Sequence, residues 1–161
     1  KLTTYQLTLT AVMAAVICVL GPISMAIPIS PVPISLASMA VYLAVTVLGM
    51  KLGTLSCLIY LLLGLVGLPV FSGFSGGFAK LAGPTGGYLI GFLFMIPLTG
   101  MVLGTLVCYL FGTVWLCLQL NLDFIGGLGV GVIPYLPGDT AKIILAALIG
   151  PVIVKALKRA E

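Results

Sequence analysis

Apolar residues fill this chain in long blocks, and short polar or helix-breaking stretches mark where each block ends. The first block runs from Thr3 to Leu20 and stops at Gly21-Pro22. The stretch after it, "GPISMAIPISPVPIS", cannot hold a regular helix, because Pro28, Pro31 and Pro33 each remove a backbone donor, and it is predicted to be a loop. A second block covers Ile34 to Met50, a turn carries Lys51 and Gly53, and a third block covers Thr54 to Gly67. "LPVFSGFSGGFAKLAGPTGG" then breaks the pattern. From Gly86 to Leu120 there are 35 residues without a charge. As one helix they would extend about 50 Å, too long for a single crossing of a hydrocarbon core of about 30 Å. They are therefore predicted to fold back at "PLTGMVLG", Pro97 to Gly104, giving a fourth and a fifth span. A glycine-rich, less regular piece follows, "NLDFIGGLGVGVIPYLPG", and a sixth span starts near Gly138 and ends in the basic tail Lys155, Lys158, Arg159. The pattern predicts an all-α integral membrane protein, a single domain over 1–161 with six transmembrane helices.

Composition agrees with that reading. Hydrophobic residues make up 61% of the 161 residues and charged ones 6%, with a mean hydropathy of +1.36; a soluble domain carries about 25% charged residues. The net charge of +4 does not describe a nucleic-acid face, because four of the seven basic residues, Lys1, Lys155, Lys158 and Arg159, lie at the two chain ends. Cys18, Cys57, Cys108 and Cys117 sit in apolar runs without CxxC spacing and read as small hydrophobes rather than metal ligands. No small-residue cleavage site followed by a polar region suggests a signal peptide. The chain has no histidine, and no motif pairs a nucleophile with a base, so an enzyme is not expected.

Six spans place both termini on one side, and the positive-inside rule makes that side the cytoplasm. Lys1, Lys51 and the basic tail then fall inside, while Lys80, Asp123, Asp139 and Lys142 belong to the outer half. Two spans between Gly86 and Leu120 need about 40 residues, and a cytoplasmic turn there should carry Lys or Arg. A basic loop missing from the sequence near residues 97–104 is the expectation.

Asp139 and Lys142 are the unusual charges. Lys142 precedes Lys155 by 13 residues, roughly 20 Å of helix, so it lies inside the hydrocarbon slab. A charge there costs about 2.5 to 3.5 kcal/mol and should face a polar cavity or a partner. Asp139 lies one turn away on the same side. In one reading Asp139 caps the helix and Lys142 neutralises it. In the other the pair is a binding site, where the ammonium holds a ligand carboxylate and the Asp139 carboxylate accepts N–H donors from the ligand's other end. The glycine-rich "FSGFSGGFAKLAGPTGG" permits tight backbone turns against a ligand, with Phe71, Phe74 and Phe78 as apolar walls. It is no phosphate loop, since GxxxxGK[ST] is missing. Ala11, Ala14 and Ala15, and Gly87 and Gly91, are spaced for close helix contact.

Taken together, "PVPIS" at Pro31 to Ser35, "GLPVFSG" at Gly67 to Gly73, "GGFAKLAGPTGGYLIGF" at Gly76 to Phe92 and "LPGDTAK" at Leu136 to Lys142 resemble the BioY family, the biotin-binding S components of energy-coupling factor (ECF) transporters. The resemblance implies an S-component-like six-helix bundle in a bacterial cytoplasmic membrane. It would capture biotin from outside and be energised by a transmembrane coupling protein and two ATPases, with biotin as cargo and no cofactor. It also implies that Asp139 and Lys142 belong to the biotin site together with Gly73, Ser75 and Tyr88, and that Ala11 and Ala15 face the coupling protein. Biotin suits the residues: a valerate carboxylate for a cation, ureido N–H groups for an acceptor, and an apolar bicycle for aromatic walls. The rival is an ion-coupled secondary transporter of a small carboxylate using Asp139 and Lys142, though no internal repeat accompanies it.

Overall fold

The computed structural model describes residues 2–95 and 101–160. Helix α1 spans Thr4–Leu20 and opens with a capping box: Thr3 Oγ1 accepts from the Gln6 amide, and the Gln6 side chain accepts from the Thr3 amide. The Pro-rich stretch predicted as a loop is instead a β-hairpin, β1 Ser24–Ile27 against β2 Ser30–Ser35. A two-stranded ribbon has only edge strands, so Pro31 and Pro33 are tolerated on β2 and Pro28 falls in the turn between the strands.

Helix α2, Ala37–Leu65, is broken at Gly49, whose φ of +74° only glycine adopts without strain. A Cβ on Gly53 would lie 3.1 Å from the Cα of Val45. Eight residues of straight helix extend about 12 Å, so the two arms fold back on each other and correspond to the second and third apolar blocks of the sequence. The turn comes at Gly49 rather than at Lys51 and Gly53. A short helix α3, Phe78–Ala82, leads to α4, Gly86–Met95. Residues 97–100 of the predicted break lie outside the described residues, as does any loop there, and so do Lys1 and Glu161. Helix α5 spans Met101–Leu120. The glycine-rich piece predicted to be irregular forms α6, Phe124–Gly131, and a 3-10 turn at Ile133–Tyr135, because its glycines fit where a side chain would collide with α5. A Cβ on Gly127, for example, would overlap the Cys117 sulfur. Helix α7, Leu136–Ala160, closes the fold.

Three helical stretches, Ala37–Leu65, Met101–Leu120 and Phe124–Arg159, are apolar and long enough to cross a membrane by length and composition, and Thr4–Leu20 is a shorter apolar helix. The outward surface is apolar, as Leu118, Leu148 and Val152 illustrate. Lipid does not drive apolar helices together, so small residues and interhelical hydrogen bonds must hold the bundle. The fully buried Ser56 donates to the Thr10 carbonyl across the α1–α2 contact. Gly87 sits against Trp115, where a Cβ would collide, and Gly91 against Cys108, where a Cβ would lie a tight 3.1 Å from the sulfur, which is the close contact their spacing predicted. These pairings also orient the bundle. The α1 C-terminus, the hairpin, the 66–85 segment, α6 and the start of α7 gather at one end, while Thr4, Gly49 and Arg159 lie at the other.

Phe71 anchors the 66–85 segment. Its buried ring packs edge-on against Tyr60, centroids 5.4 Å apart, and fills the space beside Gly64. Gly64→Ala is therefore expected to lower stability by about 1 to 3 kcal/mol, since the added methyl overlaps that ring. Gly129→Ala, where a Cβ meets nothing within 4 Å, should leave the melting temperature in detergent unchanged or slightly raised.

Candidate ligand-binding site

A cavity of about 680 Å³, open mouth included, lies at the end of the bundle where the hairpin and the 66–85 segment gather. Its walls come from β2, both arms of α2, Ser72, Thr85, α4, α5, the 3-10 turn and α7. Five of the six tyrosines, Tyr42, Tyr60, Tyr88, Tyr109 and Tyr135, line it. The aromatic walls are thus these tyrosines with Phe92, and not Phe71, Phe74 and Phe78 as expected from the sequence. Phe71 is core, and Phe74 and Phe78 are each 72% exposed on the outside. Phe74 has a φ of +53°, which turns the loop at that point.

Asp139 and Lys142 meet on the inward face of α7, continued below by Ala146 and Gly150. Lys142 Nζ lies 2.9 Å from Asp139 Oδ1, 2.8 Å from the Ser35 carbonyl and 3.1 Å from Ser38 Oγ, so its three hydrogens have three acceptors. The other carboxylate oxygen, Oδ2, accepts from the Tyr109 hydroxyl at 2.6 Å. Asp139 is not a helix cap, because α7 begins at Leu136 and places it inside the first turn. The division of labour expected from charge also fails. Two groups in contact at 2.9 Å face one point of the wall and cannot hold opposite ends of an elongated ligand.

The remaining tyrosines brace the walls. Tyr42 donates to Thr105 Oγ1 at 2.7 Å, because Thr105 spends its own proton on the Met101 carbonyl. The Tyr135 hydroxyl donates toward the Val32 carbonyl and Ser30 Oγ, pinning β2 to the 3-10 turn. Tyr88 donates to the Gly131 carbonyl at 2.8 Å, and its ring occupies the space that a Cβ on Gly112 would need. Of the other residues tied to the site by resemblance, Gly73 and Ser75 do not line the cavity. They shape the turn behind it: Gly73 N–H donates to the Pro22 carbonyl, and Ser75 Oγ donates to the Ser72 carbonyl at 2.8 Å. Ser72 is the residue that reaches the wall. Lys80 and Asp123 share this end of the bundle but neither joins the cavity.

The family model for BioY matches residues 1–159. The chain belongs to the BioY family. Its relatives include biotin transporter BioY2 of Lactococcus lactis subsp. cremoris, 38% identical with 95% of this chain and 92% of the relative covered. A probable biotin transporter BioY of Pyrococcus horikoshii is 41% identical over 89% of this chain and 93% of its own length. The fold matches the crystal structure of the S-component for biotin from an ECF-type ABC transporter, with a TM-score of 0.83 and 33% identity over 99% of this chain and 95% of that one. The all-α, S-component-like fold expected from the sequence is therefore that of a solved relative. In this BioY chain, "GPTGGY" starts α4 and brings Thr85 and Tyr88 to the cavity, and "LPGDTAK" opens α7 with the ion pair.

Sequence reasoning missed Ser38, Tyr42, Tyr60, Tyr109 and Tyr135. A usable signal was present, since a tyrosine in an apolar helix carries a hydroxyl that must find a partner or a cavity.

Proposed function

We propose that this BioY chain captures biotin at the membrane and delivers it inward as the S component of an ECF-type transporter, with 1–161 acting as one substrate-binding domain. One observation carries the reading: a buried ammonium–carboxylate pair inside a tyrosine-lined cavity, in a chain that belongs to this family. The pair suits the ureido group of biotin. A cyclic urea presents a carbonyl acceptor flanked by two N–H donors, which is the complement of an ammonium beside a carboxylate. A ligand carboxylate suits the pair poorly. Lys142 is already neutralised by Asp139, and a second anion there would leave an unbalanced buried charge. Asp139, Lys142 and Tyr88 are assigned to the ligand, and Gly73 and Ser75 to the turn that presents Ser72.

Energisation would come from a coupling protein with two ATPases. In support, Ala11 and Ala15 face outward on α1 while Ala14 is buried, so a small-residue seam is free for a partner. The end of the bundle carrying Lys51 and the basic tail is assigned to the cytoplasm with both termini, and the cavity end to the outside. The protein transports biotin unchanged and catalyses no reaction. An ion-coupled transporter would instead sustain uptake without an ATPase partner.

Purified protein in detergent should bind biotin without ATP, because the cavity residues all belong to this chain. Titration calorimetry with biotin, thiamine and riboflavin tests this. Heat only with biotin is the expected result, and none at micromolar biotin would sink the assignment.

A further inference from the structure

Lys142 reaches the cavity wall with every ammonium hydrogen already in use. Asp139 Oδ1 at 2.9 Å, the Ser35 carbonyl at 2.8 Å and Ser38 Oγ at 3.1 Å take all three. A ligand carbonyl that approaches the ammonium must therefore displace one of them. The Asp139 contact carries the opposite charge and comes from one turn away on the same helix. The Ser35 carbonyl is backbone, fixed at the end of β2 where Ser35 pairs with Ser24. Ser38 differs from both. Its contact is the longest of the three, it is made by a hydroxyl that turns about one bond, and Ser38 lines the cavity beside Asp139 and Lys142. The same hydroxyl points its proton at Asp139 Oδ1, 3.5 Å away. It thus accepts from the ammonium and donates toward the carboxylate, the pattern that a urea carbonyl presents with its neighbouring N–H.

We propose that the Ser38 hydroxyl competes with the ligand's ureido group for the Asp139–Lys142 pair and is turned aside when the ligand binds, an inference that rests on the biotin reading. Ser38 then sets the affinity of the cavity in the direction opposite to a ligand contact. Binding exchanges one hydrogen bond to a charged group for another, so only the difference between them appears as affinity. Removing the hydroxyl leaves one ammonium hydrogen without its acceptor until a ligand carbonyl supplies one, which raises the gain on binding.

The test is Ser38→Ala, titrated by calorimetry with biotin and with biotin amide. Biotin affinity should rise about 10-fold. Affinity for the amide should rise by the same factor, because both ligands carry the ureido group. Ser38→Cys keeps a side chain of similar shape whose thiol is a weaker donor and acceptor, so it should show a smaller rise, and it carries the test if the alanine protein does not fold. Three results would overturn the proposal. Unchanged affinity would mean that the hydroxyl stays on the pair when the ligand binds. Reduced affinity in the folded variants would make Ser38 a ligand contact in its own right. A rise confined to biotin would put the carboxylate, and not the ureido group, on Lys142. Wild-type protein that fails to bind biotin at all would defeat the functional reading instead, so the two failures are separable.

Discussion

Lys142→Met is expected to lose most biotin binding and much of its stability together, and a second substitution separates the two. Removing the ammonium strands the Asp139 carboxylate in a cavity wall where its side chain is only 14% exposed, and breaking a buried pair from one side costs about 3 to 5 kcal/mol. Asp139→Asn combined with Lys142→Met removes both charges and should recover most of the melting temperature. Biotin affinity should stay down by about 10- to 150-fold, the value of a hydrogen bond to a charged group. Biotin amide distinguishes the ends. If the pair holds the ureido group, the double variant weakens biotin and its amide alike, and the preference for biotin survives. A double variant that binds biotin like wild type would make the pair a structural bridge. Collapse of the preference would put the carboxylate on Lys142 after all.

Ala15→Trp is expected to abolish biotin uptake in cells while purified protein still binds biotin. Ala15 is exposed on α1, so the indole projects outward and the core keeps its packing. A close helix contact, which needs small residues on the seam, cannot form over it. Co-purification with a coupling protein should disappear along with uptake of radiolabelled biotin. Ala14→Trp is the informative contrast. Ala14 is 2% exposed, so the indole must displace core and should lower both the melting temperature and binding. Should Ala15→Trp keep normal uptake, the seam faces lipid and the partner docks elsewhere.

Both experiments start from residues that stand out in the sequence, because a charge or a small-residue repeat in an apolar span is costly or conspicuous enough to see without a structure. The membrane class, the blocks that became α1, the arms of α2, α5 and α7, and the singling out of Asp139 and Lys142 were all legible from hydropathy and helix length. So was the segregation of Lys51 and the basic tail from Lys80, Asp123, Asp139 and Lys142, which the chain reversals place at opposite ends. What one-dimensional patterning could not decide was contact between segments distant in sequence. The hairpin at 24–35 was hidden because proline reads as a helix breaker, and only its pairing with β1 shows that it can be an edge strand. The inward turn of Phe71 and the outward turn of Phe74 depend on where Gly64 leaves space and where the backbone takes a positive φ. Sequence alone determined that Asp139 and Lys142 needed a reason to be in the membrane. Their spacing on one helix already allowed the 2.9 Å pair; only the tertiary structure decided that it lies in a cavity wall, with Ser38 and Tyr109 closing around it. Which groups of other elements surround the pair depends on packing between segments distant in sequence, and no spacing along the chain records it.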